Sequence, residues 1–307
     1  MTSPTAYEVL VIGGGPAGLS AALQLARFDR RVALFDTGQG RSSGGQTAHN
    51  YLGFPGGVRA RRLRELGYRQ LEDYPQVEVF VCEVEKVARA GDHVLAWAGP
   101  GAYRARAIIL CTGVVDHFPA FEHWRDYVGR SMFWCITCDG YEAKGQRVVV
   151  IGSANDAAAT ALQLQRFTDR LTVLTNNEDC RITPEFQARL ARARIPLIHD
   201  RVARVIGQDG YFEALVLESG ARLALDQVFS QHILTPRVEL ARQLGVALAD
   251  NGYILVDEEQ RTNIPGVYAA GDVTRLHSHQ VSTAVHEGGQ AACSANYDLY
   301  PPDLKDD

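Results

Sequence analysis

The sequence predicts an α/β protein of two Rossmann-like domains, the second inserted into the first. Three observations predict it. A strand, glycine turn, helix and strand open the chain over residues 8–36, and the same grammar returns over residues 146–176. Two joints at 114–119 and 234–239, each an apolar strand end with a proline, bracket the second copy. Two βαβ units imply two domains, each with a parallel sheet.

The elements follow in order. Residues 8–13 (EVLVIG) are a short apolar, β-branched run, and residues 16–28 carry helical period. A second strand fits residues 31–36. In the repeat, residues 146–153 read as strand, 156–167 as helix and 170–176 as strand. Further strands fit 107–113, 210–217 and 266–271. The expected division is residues 1–116 and 242–307 for the discontinuous first domain and 117–241 for the insert.

Composition narrows the function. The 307 residues are 46% hydrophobic, enough for a large core without staples. A net charge of -5 provides no basic field, which argues against nucleic acid as a partner. The N-terminus lacks a charged leader with a small-residue cleavage site, and no apolar run is long enough to span a bilayer, so no membrane partner is expected and the location is read as cytoplasmic. Six cysteines in a reducing compartment make any disulfide catalytic rather than structural.

Residues 13–18 (GGGPAG) fit G-x-G-x-x-G between strand and helix. Gly13 permits the tight turn, Gly15 lets backbone approach a pyrophosphate, and Gly18 lets helix and strand pack closely. Asp36, 23 residues after Gly13, can accept a ribose hydroxyl. The motif does not choose between FAD and NAD. Gly271-Asp272, ending a later strand, helps to decide, because a bare backbone beside a carboxylate suits the hydroxyls of a flavin's ribityl chain.

Cys135 and Cys138 form C-x-x-C followed by Asp139. Three readings stand: a redox pair, half of a zinc site, or two inert thiols. Two intervening residues can place the sulfurs within bonding distance at a helix start, where free amides favour thiolate. A zinc site needs four ligands, and no second C-x-x-C is present. Cys111 reads as a small buried hydrophobe, and Cys82, Cys180 and Cys293 are isolated.

Residues 13–18, Gly44-Gly45-Gln46, Thr112-Gly113, residues 135–140 (CITCDG) and Gly271-Asp272, in this order, resemble the low-molecular-weight flavoprotein thioredoxin reductase family over essentially the whole chain. The resemblance implies FAD in the first domain, a redox disulfide in the insert, thioredoxin as protein substrate, and a homodimer whose domains rotate. It assigns FAD to Gly13, Gly15, Pro16, Ala17, Gly18 and Asp36. Gly45, Gln46, Asn50, Thr112 and Gly113 join them, with Gly271, Asp272, Gln280 and Val281. By the same resemblance Cys138 faces the flavin, Cys135 attacks the external disulfide, and Asp139 is the acid/base.

The pattern breaks at the second fingerprint, residues 152–157 (GSANDA). Ala154 replaces the middle glycine, so a methyl group stands where a pyrophosphate would approach. After the next strand the family's paired arginines are missing, and Glu178 and Asp179 stand near Arg181. Carboxylates there would repel a 2′-phosphate. The expectation is therefore a branch that does not take electrons from NADPH: ferredoxin-linked, diflavin or deeply rooted. The alternatives are a dithiol oxidase using oxygen, an ordinary NADPH-dependent thioredoxin reductase, and a non-catalytic flavin redox sensor.

Three further segments bear on these readings. His49 and Tyr51 could lie near the flavin. Arg59, Arg61, Arg62, Arg64 and Arg69 form a basic face that could dock ferredoxin or another acidic carrier, or be plain solvated helix. Residues 296–307 read as a mobile tail, with Tyr297 or Tyr300 able to stack where nicotinamide would lie.

Overall fold

The computed structural model describes residues 4–118, 121, 123–231, 233–275 and 277–305. The chain divides into two compact units. The first comprises Met1–Gly44, Val58–Val115 and Thr235–Asp307, and the second Gly45–Gly57 and Asp116–Leu234. The expected bounds differ in that residues 45–57 cluster with the second unit and the chain changes over at 115/116 and 234/235. The two passages, Val114–His117 and Ile233–Pro236, pair as a two-stranded sheet. Pro119 of the first expected joint, and Asp306 and Asp307 of the expected tail, lie outside the described residues.

The first unit is built on a five-stranded parallel sheet in the order Val267–Ala269, Ala107–Leu110, Val9–Ile12, Val32–Phe35, Val77–Phe80. Successive side chains of a strand point to opposite faces, and here both faces are covered. Val9 and Val11 pack against helix Pro16–Arg27 through Ala21, Ala22 and Leu25. Leu10 and Ile12 enter a second core with Phe35, Val94 and Ile254. That two-sided burial explains why these strands read as unbroken apolar runs. A four-stranded sheet, Thr5–Ala6, Gly101–Ala105, His93–Ala98, Val84–Ala90, completes the unit.

The second unit repeats the plan with Met132–Phe133, Gln227–Ser230, Val148–Ile151, Leu171–Leu174 and Leu197–Ile198, all parallel. Val148 and Val150 face Ala157, Ala161 and Leu164 of helix Asn155–Leu164, and Val149 and Ile151 face Phe212, Leu215 and Leu225. An antiparallel sheet, Val202–Gln208, Tyr211–Leu217, Arg222–Ala224, supplies the second face.

The C-terminal expectation needs correction. Residues 296–299 are not a mobile tail but the last turn of helix Val281–Leu299. Asn296 and Leu299 are buried, and Asp298 accepts from Arg261 Nε at 2.9 Å and from the Tyr268 hydroxyl at 2.6 Å. Tyr300 lies under the Arg30 guanidinium at 4.9 Å, and Lys305 Nζ lies 5.6 Å from the Tyr297 ring. Tertiary partners, absent from a composition reading, hold the segment down. Among the described residues no helix is long and apolar enough to cross a membrane.

Candidate functional site

The predicted cofactor residues divide between the units: Gly45, Gln46 and Asn50 belong to the second and the others to the first. In the first unit the glycine roles can be tested by asking what a side chain would meet. Gly13 has φ +110°, and a Cβ there would lie 2.2 Å from the Cys111 carbonyl oxygen. A Cβ on Gly18 would lie 1.8 Å from the Gly13 carbonyl oxygen, so strand turn and helix touch there. A Cβ on Gly15 would meet nothing closer than Ser42 Oγ at 3.7 Å. Gly15 therefore faces open space at the start of helix Pro16–Arg27, whose first turn carries no acid and no side-chain cap. Unsatisfied amides facing open space suit an anion.

Gly271 adds to this cradle. A Cβ on it would lie 3.0 Å from Ala17 Cβ and 3.8 Å from Ala284 Cβ, so it sits where the first turns of two helices converge. The buried Glu287 carboxylate accepts from Gly271 N at 2.7 Å and fixes the turn; burial raises its pKa. Gln280 caps helix Val281–Leu299 through backbone geometry alone, and Val281 begins it. Thr112 Oγ1 donates to the Arg237 carbonyl at 2.6 Å, and Gly113, at φ +68°, has open space around its Cβ direction. Asp272 pairs with Arg41 Nη1 at 2.9 Å. These residues fit a dinucleotide with a pyrophosphate at the helix start.

Asp36 shows what the sequence missed. Its Oδ2 accepts from the Tyr68 hydroxyl at 2.6 Å and pairs with Arg64. Burial and this bond push the Tyr68 hydroxyl up to about 12. Arg64 also donates to the Gly14 carbonyl at 3.2 Å. Arg64 therefore leaves the expected basic face, because it points inward from helix Ala60–Leu71 together with Tyr68 and Leu71, at helical spacing. Arg59, Arg61, Arg62 and Arg69 remain exposed, and Glu65 answers Arg61 and Arg62.

In the second unit Cys135 and Cys138 form a disulfide with Cα atoms 5.2 Å apart. Among the described residues no cluster of His, Cys, Asp or Glu could hold a metal ion, and the other four cysteines are free. Burial pushes the Cys111 thiol up, in keeping with an inert hydrophobe. The disulfide spans a single helical turn, Ile136–Asp139, shorter than a helix with a useful macrodipole. The favourable amide is local instead: Cys138 N donates to Cys135 Sγ at 3.1 Å. Such a bond stabilises a thiolate on Cys135 once the disulfide opens. Gly140 ends the turn where a Cβ would meet the Ile136 carbonyl at 2.6 Å and Phe167 at 2.8 Å.

Asp139 is half-buried, and its carboxyl is pushed up to about 7 by burial first and by the Glu142 charge second. A carboxyl poised there can give or take a proton at neutral pH. Beside it a cavity of about 420 Å³ is lined by Cys138, Thr137, Tyr141, Glu142, His49 and Asn50, with Ile136 and Phe167 as apolar wall. Asn50 Nδ2 reaches the Thr137 carbonyl at 3.4 Å. Tyr51 stacks on Phe54 instead of lining the cavity. Gln46 Oε1 is buried with no hydrogen-bond partner among the described residues, an acceptor left for a donor. Glu142 escaped the sequence reading.

The second fingerprint is built differently from the first. Ala154 caps helix Asn155–Leu164, and Asp156 in its first turn accepts from Ala157 N at 2.8 Å. Arg181 N donates to the Ser153 carbonyl at 2.6 Å, and Thr183 N to Asn155 Oδ1 at 2.8 Å. The expected repulsive pair requires a correction. Glu178 is answered by Arg201 Nη1 at 3.1 Å, an arginine 23 residues away in sequence.

Against this geometry the comparisons are direct. The pyridine nucleotide-disulphide oxidoreductase family matches residues 7–288. The chain belongs to that family, on its low-molecular-weight thioredoxin reductase branch. A thioredoxin reductase of Listeria monocytogenes is 30% identical over 98% of this chain and 95% of its own length. The crystal structure of thioredoxin reductase from Streptococcus pyogenes has a TM-score of 0.89, 27% identity, and coverage of 97% and 99% of the two chains. An atypical thioredoxin reductase from Desulfovibrio vulgaris is 32% identical over 96% and 99%, with a TM-score of 0.53. As a member of this branch the chain is a flavin-dependent disulfide oxidoreductase with FAD as cofactor and Cys135–Cys138 as its redox-active pair. None of these comparisons supports a branch independent of NADPH.

Proposed function

We propose that the chain acts as a thioredoxin reductase, with a thioredoxin-like protein disulfide as substrate and a reduced pyridine nucleotide as donor. The observation that carries the reading is the Cys135–Cys138 disulfide beside a half-buried Asp139 whose carboxyl titrates near neutrality. In the reduced pair, the Cys135 thiolate, supported by Cys138 N–H, attacks one sulfur of the substrate disulfide and expels the other as thiolate. Cys138 then attacks Cys135 Sγ, restores the disulfide and releases the second substrate thiolate. The protons that leave the two enzyme thiols end on the two substrate sulfurs, one of them by way of Asp139. FAD, when bound, supplies the two electrons that reopen the Cys135–Cys138 bond. Gly13, Gly15, Pro16, Ala17 and Gly18 hold its pyrophosphate; Asp36, Gly45, Gln46, Asn50, Thr112, Gly113, Gly271, Asp272, Gln280 and Val281 serve the rest. The working unit is a homodimer.

The family and the relatives support the pyridine nucleotide donor better than the nucleotide-independent expectation. One observation favours the second reading, a different donor such as ferredoxin: Ala154 and Asp156 stand where an incoming pyrophosphate would meet the second helix. Anaerobic addition of NADPH to the purified yellow protein separates them. Flavin bleaching within the mixing time supports the first reading. Absence of bleaching, with ready reduction by a ferredoxin system, defeats it. In the same assay Cys135→Ser abolishes disulfide turnover and leaves the flavin bound.

A further inference from the structure

The second position of the first fingerprint is a glycine that the motif does not require. G-x-G leaves that residue open, and Gly14 has no left-handed φ to demand it. The reason lies in the space beside it. A Cβ on Gly14 would run into the Tyr68 hydroxyl and lie 2.7 Å from the Asp36 carboxylate. Tyr68 and Asp36 therefore fill the side-chain space of the turn that opens the cofactor cradle.

Asp36 follows strand Val32–Phe35, and the two donors that reach it use the same oxygen. The Tyr68 hydroxyl donates to Oδ2 at 2.6 Å, and Arg64 Nη2 pairs with Oδ2 as well. Oδ1 has no hydrogen-bond partner among the described residues and is not sealed from solvent. A carboxylate turns readily about its last bond, so pinning one oxygen from two sides offers the other in one orientation. Burial, and after it the bond to Asp36, pushes the Tyr68 hydroxyl up to about 12, which keeps it a donor at neutral pH. Arg64 is itself fixed, since Nε donates to the Gly14 carbonyl at 3.2 Å and Nη1 to the Gly38 carbonyl at 3.4 Å. Both side chains leave helix Ala60–Leu71 on one face, at i,i+4 spacing. Gly67 lets that helix close on Leu19 of the first helix, where a Cβ would lie 2.9 Å from Leu19 Cδ1. The guanidinium also offsets the Asp36 charge near a helix start that suits a diphosphate.

We propose that Tyr68 and Arg64 are positioning residues of the FAD site: they pin Asp36 through Oδ2 beside Gly14 and so present Oδ1 as the acceptor for the adenosine ribose. The inference rests on the reading that Asp36 takes a ribose hydroxyl, and goes beyond it by naming what aims the carboxylate. An acceptor aimed in advance loses less freedom on binding, so the ribose hydroxyls gain affinity from it.

The experiment is equilibrium binding to the full-length protein stripped of flavin, read by flavin fluorescence. Its two probes are FAD and an FAD analogue whose adenosine ribose lacks both hydroxyls. Wild type should prefer FAD by roughly ten- to hundredfold, the worth of a hydrogen bond to a charged acceptor. Asp36→Ala should lose that preference. Tyr68→Phe removes one oxygen and keeps the ring, so it should cut the preference roughly three- to tenfold while affinity for the analogue holds. Arg64→Lys lacks the planar fork that reaches Asp36, Gly14 and Gly38, and should act likewise. Gly14→Ala should match Tyr68→Phe, and the two together should cost no more than either alone, because both release the same carboxylate. A general loss of stability weakens both probes alike and leaves their ratio where it was. An unchanged ratio in Tyr68→Phe, with the preference lost in Asp36→Ala, overturns the proposal and leaves the Asp36 reading standing. An unchanged ratio in Asp36→Ala overturns both.

Discussion

Replacing Asp139 by Asn should make the protein more stable and less active, and the gain in stability should grow with pH. The wild-type carboxyl holds its proton up to about 7 when folded. In the unfolded chain an aspartate releases its proton near about 3.9. Below the unfolded value both states bind the proton and there is no penalty. As pH rises toward 7, the unfolded state ionises first, so the fold is progressively disfavoured, and above 7 the penalty is complete. A gap of about three units corresponds to a ceiling of about 4 kcal/mol. Water reaches part of the half-buried side chain, and the Asn amide must itself be accommodated, so about 2 kcal/mol is the expected gain. The assay is urea unfolding of the oxidised protein at about pH 4.5 and about pH 8.5, below and above the folded midpoint. Tryptophan fluorescence serves, because Trp124 and Trp134 both lie in the second unit. The stability difference between Asp139→Asn and wild type should widen between the two conditions. Disulfide turnover should fall by roughly a hundredfold through loss of proton transfer. Two variants that keep a constant difference across this range would refute the reasoning, since the carboxyl would then be ordinary.

The glycine cradle and the buried ion pair make two more checks. A Cβ on Gly18 would sit 1.8 Å from the Gly13 oxygen, so Gly18→Ala should cost at least roughly 1–3 kcal/mol in thermal melts of the flavin-free protein. Gly15→Ala, with open space ahead of it, should leave those melts within about 0.5 kcal/mol and weaken FAD at least about tenfold by flavin fluorescence titration. Arg64 and Asp36 are only 13% and 11% exposed, so Arg64→Ala should destabilise the fold by about 3 kcal/mol in urea titration. Arg61, 71% exposed and paired with Glu65, should cost no more than about 0.5 kcal/mol by the same measure.

The parallel sheets were legible because both faces of each are buried. Strands such as Val9–Ile12 and Val148–Ile151 must then be apolar at every position, and the glycine turns punctuate them. The antiparallel sheets were mostly missed. Strand Val84–Ala90 buries Val84 and Val87 and exposes Glu85, Lys86, Arg89 and Ala90, so its apolar signal is thin. At the site, the glycines and cysteines were readable since their chemistry is set by spacing. Arg64, Arg201 and Glu142 were not. Arg64 could have been found, because Arg64, Tyr68 and Leu71 share one face of a helix whose opposite face is charged. Arg201 meets Glu178 only after the chain turns back on itself through Leu197–Ile198, and the shielding of Glu142 depends on tertiary contacts that no local pattern encodes.

The two fingerprints serve as internal controls for each other, since one chain builds both on the same strand–turn–helix plan. At the first, the backbone at Gly15 opens onto space and the helix start bears no acid, so an incoming diphosphate meets amides and nothing that opposes it. At the second, Asp156 already occupies the Ala157 amide, and Ala154 adds a methyl group. A pyrophosphate there would have to displace a carboxylate of its own sign from the helix start, which costs more than filling an open cradle. The far end of the second site carries both signs, because Arg201 answers Glu178 at 3.1 Å and Glu218 at 3.8 Å while Asp179 and Arg181 stand nearby. A nucleotide placed there would meet an occupied helix start with no net positive charge to offset it, so its hold would be weaker than that of a dinucleotide in the first cradle.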